Sequence, residues 1–294
     1  MTSVFLGLVT HEGTRFPLAA GPNGLATQVA TALKAQGLRV QVQINSENGF
    51  HESHVSLTQQ QVLDSIRSEL QLERRWRDYL DTQDAGWRRR IEFACRYLYR
   101  RVRFAPFSAR RASATRRGSQ MLRRLVNIEL SHLELLRSAH RSGCSWALIV
   151  EDDAIVEDAN EFAADLQLFL SRQSHEVNPS FLNVSDSFDY STLKVGEHLH
   201  PRGTWNSRSE ILSADRPVTN TVCAVLYRAE FLSELLPTLS QIPISPVIPI
   251  DWKINAALLD LYDRGQIGAD DCWFISPGPI MQGSMHGSNA GGLK

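Results

Sequence analysis

Ser145-Trp-Ala-Leu-Ile-Val-Glu-Asp-Asp-Ala154 is the most informative stretch of the chain. Its apolar run, Trp146 to Val150, reads as a short buried strand that runs directly into Glu151, Asp152 and Asp153. Strand alternation places Glu151 and Asp153 on one side of the exit and Asp152 on the other. Adjacent carboxylates repel one another, and a hard divalent cation, Mg2+ or Mn2+, relieves the repulsion. The competing use for these acids is at the amino end of a helix beginning near Asp158, where they would favour the helix dipole. A cap, however, needs one acid and not three.

The flanking segments set this strand in an α/β fold. Val4 to Val9 reads as a buried strand, Gly24 to Gln36 as a helix closed by Gly37, and Leu38 to Ile44 as an alternating strand. Leu57 to Tyr99 reads as mostly helical, and Leu122 to Ser142 as a helix with Leu125, Ile128, Leu133 and Leu136 on one side, ended by Gly143. Further strands are expected at Phe181 to Val184, Val222 to Tyr227 and Cys272 to Ile275, with helices at Glu230 to Leu239 and Asp251 to Asp263. Alternating β and α segments predict a mixed sheet flanked by helices, with ligands outside the carboxyl ends of the strands.

The helix and strand around the acids together carry a family resemblance. Asn127-Ile-Glu-Leu-Ser-His-Leu-Glu-Leu-Leu-Arg137 followed by Ser145 to Ala154 resembles the helix and acidic strand of glycosyltransferase family 25, the lipopolysaccharide and procollagen galactosyltransferase type. Asn220 to Arg228, Pro249-Ile-Asp-Trp252 and Gln282-Gly-Ser284 resemble later segments of that family. The resemblance implies a GT-A-like fold formed by a single catalytic domain over residues 1–294, with an Arg-rich helical insertion at 57–124. It implies a nucleotide-sugar-dependent glycosyltransferase of cell-envelope glycan synthesis, inverting, with a UDP-sugar favoured as donor and a glycan or lipid-linked acceptor.

Site residues follow from the same resemblance. Glu151 and Asp153 become ligands of Mn2+ or Mg2+, with Asp152 and Asp153 facing the donor, and His286 becomes a further metal ligand. Asp251 becomes the carboxylate that takes a proton from the acceptor hydroxyl. Arg15 and Asn45, after the first and second strands, become nucleotide contacts, with Glu47 beside them. Read without the resemblance, Asp251 is a helix N-cap, His286 a solvated tail residue, and His132 a hydrogen-bonded core residue supporting the acidic strand. His51 and His54 form an H-x-x-H pair of low information. A different class, a receiver-like Mg2+-binding regulator, would use Asp186 and Lys253, which fit that pattern poorly. A glycosyltransferase-like binding protein without catalysis is a third reading.

Charge is unevenly placed. The chain has 294 residues and a formal net charge of −1, yet sixteen Arg and four acids fall between Arg74 and Arg124, a local charge of +12. Trp87, Ile91, Leu98 and Val102 recur there at helical spacing among Arg88, Arg89, Arg96, Arg100 and Arg103. A basic amphipathic helix of this kind suits an anionic membrane surface, or it is a solvated outer face. Ser108 to Ser119 lacks apolar period and reads as a loop. Nucleic acid is not expected as a partner, since no recognised binding motif and no basic overall balance accompany the arginines.

Composition bounds the rest. At 43% hydrophobic and 21% charged the chain is globular and can bury a core. No apolar run approaches the roughly 18–20 residues of a membrane span. Met1-Thr2-Ser3 lacks the basic region of a signal peptide, so a cytoplasmic protein is expected, and the basic segment alone offers it the inner face of the membrane. Cys95, Cys144, Cys223 and Cys272 are widely spaced and read as buried free thiols.

Overall fold

A computed structural model of the chain describes residues 2–10, 21–45, 67, 87, 91–92, 94–96, 98–99, 112–172, 179–186, 199–217, 219, 221–242 and 249–283. The strands in chain order are β1 (Ser3–Val9), β2 (Arg39–Asn45), β3 (Trp146–Glu151), β4 (Ala154–Val156), β5 (Phe181–Asn183), β6 (Leu199–Thr204), β7 (Glu210–Ala214), β8 (Ala224–Arg228), β9 (Cys272–Ser276) and β10 (Ile280–Gln282). The helices are α1 (Leu25–Ala35), α2 (Ala112–Arg141), α3 (Ala159–Arg172), α4 (Leu232–Gln241) and α5 (Ile250–Asp263).

Eight strands form one mixed sheet in the order β2-β1-β3-β8-β5-β9-β7-β6, and β4 and β10 form a small second ladder. Strands β2, β1 and β3 are parallel, and β8 runs antiparallel to both β3 and β5. The expected mixed α/β sheet flanked by helices is therefore present.

The central strands are apolar on both sides because both faces of the sheet are covered. On one face Val4, Leu6, Leu148 and Val150 pack against Val29 and Leu33 of α1 and Phe162 and Leu166 of α3. On the other, Phe5, Ala147, Ile149 and Tyr227 pack beneath Leu135 and Leu136 of α2, Leu235 of α4 and Ile254 and Leu258 of α5. Each fully buried Leu or Phe contributes about 1.5–3 kcal/mol relative to exposure. Gly37 ends α1 with φ +78°, the left-handed conformation that favours glycine at this position.

Several elements differ from the sequence expectation. Helix α2 begins at Ala112, so much of the stretch read as a loop is helical, and position 124 falls inside a continuous helix. Ala, Arg, Gln and Met are good helix formers, and this propensity outweighs the missing apolar period. The hairpin β6–β7 was not expected, because Pro201 and Gly203 disguise β6. It lies at the sheet edge, where such residues are tolerated, with an irregular register between Pro201 and Gly203. All four cysteines are free, but Cys95 is exposed and Cys144 half-buried, so only Cys223 and Cys272 are the buried thiols expected.

Candidate active site

The connections out of β1 and into β3 lie on opposite faces of the sheet. Helix α1, between β1 and β2, packs on the first face, whereas α2, leading into β3, packs on the second. The chain thus changes direction between β1 and β3, and a crevice at their carboxyl ends is where open α/β sheets bind ligands. Parallel register brings Asn45, Val9 and Glu151 level at that rim.

The three acids divide there as strand alternation predicts. Asp152 faces the end of β1: its Oδ2 accepts a hydrogen bond from Thr10 Oγ1 at 3.0 Å, and its N–H donates to the Val9 carbonyl at 3.0 Å. Glu151 and Asp153 converge with Cys223, the residue preceding β8, and one donor atom from each of the three lies within 4.8 Å of the others. Among the described residues no other three acid, thiol or imidazole groups meet in this way. The Asp153 carbonyl accepts the Gly283 N–H at 2.8 Å, so the turn carrying the acids is held between β8 and the end of β10.

The helix-capping alternative does not describe these acids. Strand β4 intervenes before α3, and Asp158 alone caps that helix, its Oδ1 accepting the N–H groups of Asn160 at 2.8 Å and Glu161 at 3.1 Å.

Beneath the acids lies a second group of polar side chains, between the sheet and helices α2 and α5. His132 on α2 is fully buried, and its Nε2 lies 2.9 Å from Glu151 Oε1. A carboxylate accepts only, so Nε2–H donates, and His132 supports the acidic strand as expected. Asp251 occupies the first turn of α5 behind an N-cap at Pro249, so the N-cap reading of Asp251 is corrected. Its Oδ1 accepts the Trp252 N–H at 2.9 Å. Burial first, and the Glu151 charge after it, push the Asp251 carboxyl up to about 6, against the opposing hydrogen bond from Trp252. That value suits a group that must accept a proton near neutrality.

Buried partners fix these elements in place. Lys253 of α5 and Glu129 of α2 form an ion pair in which both side chains are almost wholly enclosed. Burial lowers the Lys253 ammonium from its usual range, and Glu129 opposes that shift. Asn183 of β5 donates to Thr219 Oγ1 and to the Thr221 carbonyl, each at 2.9 Å. Asn255 Oδ1 accepts the Thr219 N–H at 2.8 Å. This network sets the path leading to Cys223, whose N–H donates to Thr221 Oγ1 at 3.2 Å.

Asn45 is buried at the end of β2, with no hydrogen-bond partner for its Nδ2 among the described residues. Gln282 lies on the path to Cys223, its Oε1 accepting from Thr221 Oγ1 at 3.4 Å. Arg15, Glu47, His51, His54, Ser284 and His286 lie outside the described residues. The receiver pattern finds no support in the placement of its two residues. Asp186 is separated from β3 by β8 and accepts the Gly278 N–H at 3.2 Å, while Lys253 is enclosed with Glu129.

Cys223 is the residue that sequence reasoning missed as part of the site. It read only as a buried thiol, and nothing local ties it to acids seventy residues earlier. Burial first, then the charges of Glu151 and Asp153, push its thiol up, and its Sγ–H donates to Asp153 Oδ1 at 3.8 Å. As a donor set, two converging half-buried carboxylates fit a hard divalent cation that keeps water or phosphate oxygens in its remaining positions. No known protein-family model matches this chain, and no curated protein matches it either.

Proposed function

We propose that the chain is a divalent-cation-dependent glycosyltransferase of GT-A-like fold, taking a nucleotide sugar and a glycan or lipid-linked acceptor. The observation that carries this reading is the convergence of Glu151 and Asp153 at the carboxyl end of β3, beside the change of direction between β1 and β3. Glu151 and Asp153 would hold Mn2+ or Mg2+, which would supply positive charge against the departing diphosphate.

The chain's own residues perform the remaining work. Asp251 takes the proton of the acceptor hydroxyl as its oxygen attacks the anomeric carbon opposite the bond to the departing nucleoside diphosphate, and this single displacement inverts the configuration. His132 holds Glu151 in orientation from behind. Asn45 offers a buried N–H donor at the rim where the base or ribose of the nucleotide would lie. Arg15 and His286 remain candidates for a phosphate contact and a further ligand.

The acceptor side of the proposal rests on the Arg-rich stretch. Each described residue from Trp87 to Tyr99 is helical. Trp87, Ile91, Leu98 and Tyr99 are 68%, 54%, 57% and 63% exposed, large apolar side chains in a run of arginines. Such a face suits the interface of an anionic bilayer and would bring the site to a lipid-linked acceptor. No helix among the described residues is long and apolar enough to cross a membrane.

Calorimetric titration with UDP, GDP and CMP, each with and without Mn2+, tests the central reading. Binding of one nucleoside diphosphate that requires the cation is expected. Absence of binding by all three in both conditions would overturn it. For the acceptor side, cosedimentation with anionic vesicles at low salt is expected and should be lost with neutral vesicles; no lipid-dependent pelleting would remove the membrane assignment.

A further inference from the structure

Cys223 is fixed through both its carbonyl and its N–H. Its carbonyl accepts the Glu151 N–H at 2.8 Å, which extends the β3–β8 ladder up to the acids. Its N–H is fixed on Thr221 Oγ1, and the loop carrying Thr221 is held by Asn183 and Asn255. The thiol is fully buried, while Glu151 and Asp153 keep part of their surface open on the side facing solvent. A cation between the two carboxylates would therefore meet sulfur on its inner side and solvent on its outer side.

We propose that the acidic centre is a mixed sulfur and oxygen site, in which Cys223 Sγ joins one carboxylate oxygen each from Glu151 and Asp153 to bind a thiophilic divalent cation, Zn2+. Mg2+ and Mn2+ favour an all-oxygen shell, whereas thiolate selects softer ions. Three protein donors with an open fourth position is the arrangement of zinc centres that keep access to solvent or substrate. On binding, a metal–sulfur bond forms, the thiol proton passes to solvent, and no electron changes hands. Zn2+ would thus compete with the hard ion of the proposed transferase, an inference that rests on that reading only for its functional consequence.

Cd2+ is the probe, because cadmium thiolate gives an ultraviolet charge-transfer band. The full chain is titrated with Cd2+ while proton release is followed with an indicator dye, and Mn2+ binding is measured separately by loss of the free-ion electron resonance signal. One Cd2+ per chain, a thiolate band and release of one proton are expected. Cys223→Ser should abolish the band and weaken Cd2+ by at least about tenfold, the lower bound for disturbing even an outer partner of a metal ligand. Mn2+ affinity should stay within about threefold of wild type, well inside that bound. Cys223→Ala provides the same test if the serine variant melts early, and Cys95→Ser, at an exposed thiol, should keep the band. Mn2+ binding without a cadmium thiolate band would overturn the sulfur site and leave the hard-ion reading standing. A band that survives in both Cys223 variants would assign it to another thiol and overturn the proposal. Binding of neither ion would overturn both.

Discussion

Among the described residues, acids around the end of β3 and acids along the start of α3 are used in opposite ways. Near α3 four acids meet groups of complementary character. Asp158 caps the helix, Glu161 pairs with Arg208 at 3.1 Å, Asp165 accepts from Asn206 at 2.7 Å, and Asp186 accepts from Gly278. A groove of about 200 Å³ opens beside them. At β3, Glu151 and Asp153 instead come within 4.8 Å of each other and of a thiol, and burial first, with the nearby carboxylate charges after it, raises both Cys223 and Asp251. The number of acids, or the presence of a cavity, does not separate the two regions. What separates them is whether the carboxylates are distributed over structural donors or directed at a common centre.

That contrast can be broken by substitution, and the largest effect is expected at Asp251. Asp251→Asn should reduce transfer by about 10²–10⁴-fold, the range for losing a general base. In the proposed reaction Asp251 takes a proton as the carboxylate, so the wild-type rate should climb with pH and level off above about 6. Stability moves the other way. The folded group sits above its ordinary 3.8, so the stability it confers is present below that value and is lost as pH rises to about 6. Melts of wild type and Asp251→Asn across this window should diverge accordingly, and parallel curves would show that the carboxyl is not shifted.

Asp153→Asn comes next, with transfer expected to fall by about 10²–10³-fold, the scale of losing one preorganised electrostatic partner. Without cations its melting temperature should hold or rise slightly, since a repulsion has been removed. A drop in stability with normal turnover would place Asp153 in the structural class of the α3 acids.

Lys253→Met sharpens the comparison from beneath, by removing the ammonium that pairs with the enclosed Glu129 carboxylate. A loss of about 3–5 kcal/mol in denaturant unfolding is expected. The smallest effect belongs to the other acid group: Asp158→Ala should cost about 1 kcal/mol as a lost cap, with turnover unchanged. Activity loss there without destabilisation would undo the distinction between the regions.

The sequence shows this site in part. Trp146 to Val150 announces a buried strand, and period-two alternation already separates Glu151 and Asp153 from Asp152, because both are local properties of an extended chain. His132 is legible as a buried supporting residue, because its helix shows an apolar side. Its partner is not legible, because the contact with Glu151 depends on how α2 crosses the sheet. The same holds for Cys223, whose strand pairs with β3 only through the tertiary order of the sheet, and for the shift at Asp251, which needs α5 packed over that face. Strand β6 was hidden by Pro201 and Gly203, whose meaning depends on lying at an edge.

Helix α2 joins the Arg-rich stretch to the acidic centre. Its 30 residues make a rod about 45 Å long, with Ala112 in the Arg-rich stretch and His132 two-thirds of the way along, against Glu151. A rod of this kind is a lever whose inner arm is pinned by the sheet. That arm meets the acid-bearing strand through Leu135 and Leu136 packed on Ala147 and Ile149 as well as through His132 on Glu151, so a change in the tilt of the helix would also change the aim of one carboxylate.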